Sequence, residues 1–135
     1  MIHLIMGLKG SGKTKKLIDG INAAVAEAHG DVVCIEDGKK LTYDISYKAR
    51  LVDSKEYGIN SVEMLKGFLS GLHAGNFDIT HVYIDNLYKT IGDDKAAAEE
   101  FVVWCAKFAG DNNMEITITI SEDPAEASEV MKQYI

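Results

Sequence analysis

Arginine is nearly absent from this chain: Arg50 is the only one among its 14 lysine and arginine residues. Enzymes that pass a phosphoryl group from ATP to a second small substrate generally use several arginines, because bidentate guanidinium contacts clamp both phosphates and neutralise the transition state. The scarcity therefore disfavours a nucleotide kinase. Arg50 itself has two interpretations, a finger that acts in trans within an oligomer or a surface residue beside a strand.

Cysteine is also scarce, and its spacing indicates no metal or redox motif. Cys34 and Cys105 are the 2 cysteines of the chain, and neither a C-x-x-C pair nor a Cys/His ligand spacing occurs. The 4 histidines fall near the ends of predicted elements, which disfavours a zinc site. Both cysteines are expected to be buried apolar fillers.

Long apolar runs and an excess of positive charge are missing as well. No stretch approaches the roughly 18 apolar residues of a membrane span, and Ile2 to Met6 is too short for the apolar core of a signal peptide. A formal net charge of -7 disfavours general binding of nucleic acid or anionic membranes, since both require a positive surface field. A cytoplasmic protein is expected, and 135 residues with 47% hydrophobic content predict one domain over residues 1–135.

The most informative segment that is present runs from Gly7 to Thr14. It reads Gly-Leu-Lys-Gly-Ser-Gly-Lys-Thr, which matches the phosphate-binding pattern G-x-x-x-x-G-K-[ST]. The β-prone run Ile2 to Met6 precedes the motif, and apolar residues at helical spacing follow it from Lys13 to His29. A glycine-rich turn with a solvated lysine is the alternative, and the flanking strand and helix argue against it.

The residue types of this segment suit a polyphosphate. Glycines without Cβ let the backbone turn tightly and approach the phosphates with its N–H groups, and the helix that begins at Lys13 directs its positive dipole end towards them. The Lys13 ammonium is expected to reach the β- and γ-phosphates, and the Thr14 hydroxyl to ligate Mg²⁺. For Lys15 and Lys16, an alternative interpretation is that they are solvated residues on the helix surface. The predicted nucleotide-binding residues are Gly7, Leu8, Lys9, Gly10, Ser11, Gly12, Lys13, Thr14 and Lys15.

A second motif is predicted at Asp85. Thr80 to Asp85 is a short β-rich run that ends in an aspartate and follows the break at Gly75-Asn76. This pattern is typical of a Walker B strand, whose aspartate holds Mg²⁺ from the side opposite the loop. Strand-ending aspartates also occur for ordinary turn reasons, and the upstream glycine motif favours the metal role.

The order of elements predicts an α/β fold, a single three-layer α/β/α domain with a mostly parallel five-stranded sheet. Residues 39–49 carry no clear pattern and stay unassigned. In the last strand, alternation places Thr117 and Thr119 on a half-exposed face. The predicted strands are Ile2 to Met6, Asp31 to Glu36, Arg50 to Asp53, Thr80 to Asp85 and Glu115 to Ile120. The predicted helices begin at Lys13, after an Asn60 cap, at Asp93 or Asp94, and at Asp123-Pro124.

Polar residues follow or end several of these strands. Ligands bind at the carboxyl ends of the strands in a parallel sheet, so residues that are far apart in sequence are expected to converge there. An alternative interpretation is that Glu36 and Asp37 simply form a solvated turn. The residues expected to converge are Gly7, Glu36, Asp37, Asp85 and Ser121.

With these motifs the chain resembles a minimal P-loop NTPase of the RecA-like, additional-strand branch. Small uncharacterised bacterial ATP-binding proteins are similar in size and opening motif. RecA-like ATPases place a water-polarising glutamate either beside the Walker B aspartate or at the end of the strand after the P-loop helix. Because Asn86 follows Asp85 here, the resemblance assigns the catalytic role to Glu36, or Asp37 beside it, together with Lys13. Since this chain departs from the family pattern at Asn86, hydrolysis is expected to be slow.

The first functional hypothesis is therefore an ATP·Mg²⁺-binding protein with slow hydrolysis. ATP is favoured over GTP because no Asn-Lys-x-Asp segment follows Asp85. The alternative is a nucleotide-dependent binding module or switch that docks a protein partner through residues 39–57, where lysines and tyrosines are interleaved. A small-molecule kinase is the third hypothesis, although so short a chain has little material for an acceptor site.

Overall fold

Five strands form a single sheet in which every neighbouring pair is parallel. The computed structural model describes residues 1–135. The sheet order is β1-β5-β4-β2-β3, so β5 lies between the first strand and the strand that ends before Asp85. The strands are Ile2–Gly7 (β1), Asp31–Glu36 (β2), Arg50–Asp53 (β3), Ile79–Ile84 (β4) and Glu115–Ser121 (β5).

Helices connect the strands except β2 and β3, and side chains cap most of these helices. Ser61 accepts a hydrogen bond from the N–H of Met64 at the start of the second long helix, and Asp94 accepts one from Ala97 at the start of the third. Such caps satisfy backbone donors that a helix start leaves unpaired. The α-helices are Lys13–Glu27 (α1), Val62–Gly75 (α2), Leu87–Ile91 (α3), Lys95–Asp111 (α4) and Glu129–Lys132 (α5), and short 3₁₀ turns occur at Ser54–Tyr57 and Pro124–Glu126.

The sheet has a helical layer on each face, because its strands are apolar on both sides. In β2, Val33 and Ile35 belong to a core of 25 buried residues that includes α2 and α4. Val32 and Cys34 face the other way, into a cluster of 9 buried residues that includes α1. The expected α/β/α layering is thus confirmed, and the sheet is entirely rather than mostly parallel.

Residues 39–49, which carry no pattern in the sequence, complete the smaller core. Leu41, Ile45 and Ala49 are buried in the same cluster as α1. Asn22 on α1 fixes the segment through its side chain, which donates to Asp44 O at 3.1 Å and accepts from the Ser46 N–H at 2.9 Å. The segment therefore acts as an irregular cover for one face of the sheet.

Several sequence expectations about element ends are wrong. The cap of α2 is Ser61 rather than Asn60, and α1 ends at Glu27 rather than at Gly30. Gly30 instead passes so close to the Asp78 carbonyl that a Cβ there would clash with it. Because Gly30 has no side chain, the two segments can approach closely. The end of the helix does not depend on this glycine.

The regions after Asp85 and after Asp123 also differ from expectation. The stretch from Asp85 to Asp93 was expected to be a loop, but it contains α3. This helix begins after Asn86, which has a left-handed conformation with φ 50°, and it places Leu87 in the core. The predicted last helix is interrupted, because Ala127 is extended and Ser128 caps a separate α5. Thr119 is fully buried rather than half exposed.

Candidate functional site

A cavity of about 800 Å³ lies at the carboxyl ends of the strands. Strand register brings these ends level, since Gly7 pairs with Ser121 and Glu36 pairs with Asp53. The volume of the cavity is typical of small-molecule sites. The lining residues are Lys9, Gly10, Gly12, Lys13, Thr14, Glu36, Asp37, Lys40, Leu41, Asp85, Asn86, Tyr88, Lys89, Asp93, Thr119 and Ser121.

One wall of the cavity is the glycine-rich loop, Gly7 to Thr14, which joins β1 to α1. Gly10 and Gly12 have φ values of 84° and 89°, a left-handed conformation that disfavours any residue with a Cβ. The Ser11 N–H donates to Leu8 O at 3.0 Å, which closes the turn. At Gly7 an added Cβ would lie 2.9 Å from Ser11 Cβ, so this position also requires glycine.

The side chains of the loop divide into two groups. Lys13 and Thr14, at the start of α1, line the cavity, and Lys13 Nζ donates to Leu8 O at 3.1 Å across the loop. Lys15 points elsewhere, because its Nζ pairs with Asp19 at 2.9 Å on the exposed surface of α1. Leu8 is 60% exposed and does not line the cavity.

Asp85 faces the loop from the end of β4. Its N–H donates to Ile35 O at 2.9 Å, which continues the strand pairing. Its Oδ1 accepts a 3.0 Å hydrogen bond from the Thr119 hydroxyl, and that hydroxyl accepts one of 2.7 Å from the Asn86 N–H. The buried threonine on β5 therefore fixes both the carboxylate and the turn that follows it. Sequence analysis missed this role, because the hydroxyl acts only once β5 lies beside β4.

Glu36 and Asp37 also line the cavity, but each already has partners. Both carboxylate oxygens of Glu36 accept backbone hydrogen bonds, from Lys40 at 2.7 Å and Leu41 at 3.2 Å. Burial raises the pKa of Glu36, the two backbone hydrogen bonds oppose this, and the charges of Asp85 and Asp53 add to the rise. Asp37 pairs with Lys55 at 3.4 Å. Glu36 thus holds the following turn in place as well as facing the cavity.

Two lysines of the cavity were not predicted as part of the nucleotide site, although Lys40 belongs to the segment 39–57 that was considered for partner docking. Lys40 follows the turn held by Glu36, and Lys89 lies on α3. Their only sequence signal is that each follows a strand end within five residues. By contrast Arg50 begins β3 and is exposed, at the amino end of its strand, so it is not among the residues that line the cavity.

The oxygen donors that face the cavity suit a hard cation. Thr14 offers a hydroxyl, and Asp85 keeps acceptor capacity because only Oδ1 is engaged. Mg²⁺ is commonly held by one or two carboxylates together with phosphate oxygens and water, rather than by a full set of protein ligands. Thr14 and Asp85 fit that pattern. No group of three or more His, Cys, Asp or Glu side chains is arranged as a metal site.

Searches of the chain against family models and against curated proteins find no match. All helices of the protein fall short of the length and apolar character that crossing a bilayer requires. Function is therefore inferred from the residues around the cavity.

Proposed function

We propose that the protein binds a magnesium nucleotide, with ATP as the expected ligand, in the cavity between the glycine-rich loop and Asp85. The observation that carries the proposal is the position of the full motif between β1 and α1, with its lysine and threonine lining the cavity. The sheet adds support, because its parallel strands bring the end of β1 and the end of β4 to the same edge, around one cavity. P-loop membership is part of this proposal.

The roles of the residues follow from their chemistry. Backbone N–H groups around Gly10 and Gly12 and the amino end of the 15-residue α1 would bind the β-phosphate. The Lys13 ammonium, released from Leu8 O, would contact the β- and γ-phosphates. Thr14 and Asp85 would hold Mg²⁺, which, when bound, neutralises charge on the phosphate oxygens.

Hydrolysis is expected to be slow. The residue after Asp85 is Asn86, whose neutral amide is not a general base. Glu36, the remaining candidate, accepts two backbone hydrogen bonds, so orienting a water would compete with its structural role. Asp37 is the other carboxylate beside it, and its pairing with Lys55 lowers its availability as a base.

Calorimetric titration with ATP, ADP and GTP, with and without Mg²⁺, tests the proposal. We expect Mg²⁺-dependent ATP binding that is lost in Lys13→Ala. Lys16→Ala is the matched control, because Lys16 is an exposed lysine on the same helix that does not line the cavity. Unchanged ATP affinity in Lys13→Ala would refute the proposed site.

A second candidate function is a nucleotide-dependent switch that docks a protein through residues 39–57. Tyr43 and Tyr47 favour it, since they are 98% and 90% exposed on a segment whose neighbouring residues are buried against α1. Exposed tyrosines are common in recognition surfaces. The test is protein capture on immobilised wild type and Tyr43→Ser, each with and without ATP. Capture that is identical in all four conditions would count against the switch.

A further inference from the structure

The lysines that form no ion pair are concentrated in the cavity. Seven lysines pair with carboxylates within 4.0 Å, mostly on the outer surface. Of the six that do not, four line the cavity. Four carboxylates line the same cavity but form no ion pair with these lysines, so the four ammonium groups lack a counter-charge. The four lysines are Lys9, Lys13, Lys40 and Lys89.

Lys40 and Lys89 approach one another from two neighbouring strand ends. Both residues line the cavity. The nearby Lys40 side chain, through its contact and its like charge, lowers the pKa of Lys89, and the charges of Asp37 and Asp85 oppose this. A lysine ammonium has three donors and no acceptor. Two charged lysines beside one another therefore lack the acceptor that would stabilise them, and an oxyanion between them would supply it.

Buried side chains of the sheet fix the backbone positions of both lysines. The Lys40 N–H is bound by buried Glu36, and α3, which carries Lys89, follows directly on Asn86, whose N–H is bound by buried Thr119. Both anchors belong to the sheet. The backbone positions from which the two lysines extend are thus set by the order β5-β4-β2 and by two buried side chains, whereas the lysine side chains themselves are exposed.

We propose that Lys40 and Lys89 form a phosphate subsite on the wall of the cavity opposite the glycine-rich loop. A phosphate carries close to two negative charges and several acceptor oxygens, which matches two ammonium groups. The phosphate has two possible sources, the γ-phosphate of bound ATP or the phosphate of a second ligand beside ADP. The inference deepens the proposed function and rests on it for the nucleotide. In a chain with one arginine, it assigns the binding of a phosphate to lysines.

The test compares wild type, Lys40→Met, Lys89→Met and the double variant. Lys48→Met is the control, because Lys48 is exposed, forms no ion pair and does not line the cavity. The probes are a non-hydrolysable ATP analogue with Mg²⁺, ADP with Mg²⁺, and inorganic phosphate added to the ADP-loaded protein, all measured by calorimetry. Because both positions are exposed, the variants are expected to fold, and urea denaturation verifies this.

A γ-phosphate source predicts that the double variant loses on the order of tenfold or more in affinity for the ATP analogue while ADP affinity is unchanged. A second-ligand source predicts unchanged affinity for both nucleotides and loss of inorganic phosphate binding. Equal affinities of wild type and double variant for all three probes would overturn the subsite. If wild type binds no nucleotide, the proposed function fails, and phosphate titration of the free protein, followed by the amide signals of Lys40 and Lys89, decides the subsite alone.

Discussion

The two walls of the cavity are built in different ways. The loop wall, Gly7 to Thr14, is one continuous segment that exposes backbone N–H groups through glycines in left-handed conformations. The strand-end wall comprises Glu36, Asp37, Lys40, Asp85 and Lys89, which come from two separate parts of the chain and present side chains. The loop wall can be recognised from the sequence as a motif. The strand-end wall exists only because β2 and β4 are neighbours in the sheet.

The largest effect on nucleotide affinity is expected where both walls would bind the same Mg²⁺ ion. Asp85→Asn removes the charge that the strand-end wall would contribute to Mg²⁺, so Mg²⁺-dependent ATP affinity should fall by at least on the order of tenfold. Binding measured without Mg²⁺ should change little. Calorimetry at several Mg²⁺ concentrations measures both quantities.

Asp93→Asn is the control for this comparison, because Asp93 lines the same cavity but is exposed and lies beyond α3. It should retain the wild-type dependence on Mg²⁺. If both substitutions had the same effect, general charge in the cavity rather than the position of Asp85 would explain the result.

Thr119→Val separates the carboxylate from its support. The substitution leaves the Asn86 N–H without its 2.7 Å acceptor and releases Asp85 Oδ1. Since the site is fully buried, the free energy of unfolding should fall by about 1–3 kcal/mol, measured by urea denaturation. Thr117→Val on the same strand provides the reference, and an equal loss there would show that the hydroxyl of Thr119 has no special role.

The difference between the walls also explains what could be predicted from the sequence. Strand β2 was predicted with its observed bounds, because Asp31 to Glu36 combines an apolar run with a following turn. The places of Lys40, Lys89 and Thr119 at the cavity were not predicted, because they depend on which strands are neighbours and periodicity does not encode that order. Likewise, no sequence pattern predicts that Asn86 adopts a left-handed conformation or that α3 follows it.

A matched pair of glycines tests whether the loop wall alone depends on backbone conformation for binding. Gly12 and Gly38 have φ values of 89° and 115°, and a Cβ at either would meet no atom within 4 Å. Alanine at each should cost about 1–2 kcal/mol of stability, because the backbone conformation itself is strained. Only Gly12→Ala should also weaken ADP binding in calorimetry, whereas parallel losses of affinity would contradict the division of roles.

A smaller effect concerns the pH dependence contributed by Glu36. Its pKa is raised in the folded protein, chiefly by burial, so the folded state binds this proton more tightly than the unfolded state. Its contribution to stability is therefore greatest below the unfolded pKa and falls as the pH rises through the folded pKa. Urea denaturation of wild type and Glu36→Gln from pH 4 upward should show this decline in wild type only. A decline of equal size in the variant would assign it to other groups.

The central claim is that the glycine-rich loop binds the phosphates of a nucleotide. The most direct measurement is a titration of ¹⁵N-labelled protein with ATP and Mg²⁺, followed through the backbone amide signals. We expect the largest shifts at Gly10, Gly12, Lys13 and Thr14, with the remote Gly58 and Gly110 unaffected. Absence of any shift, or shifts confined to residues 39–57 while the loop signals stay unchanged, would contradict the claim.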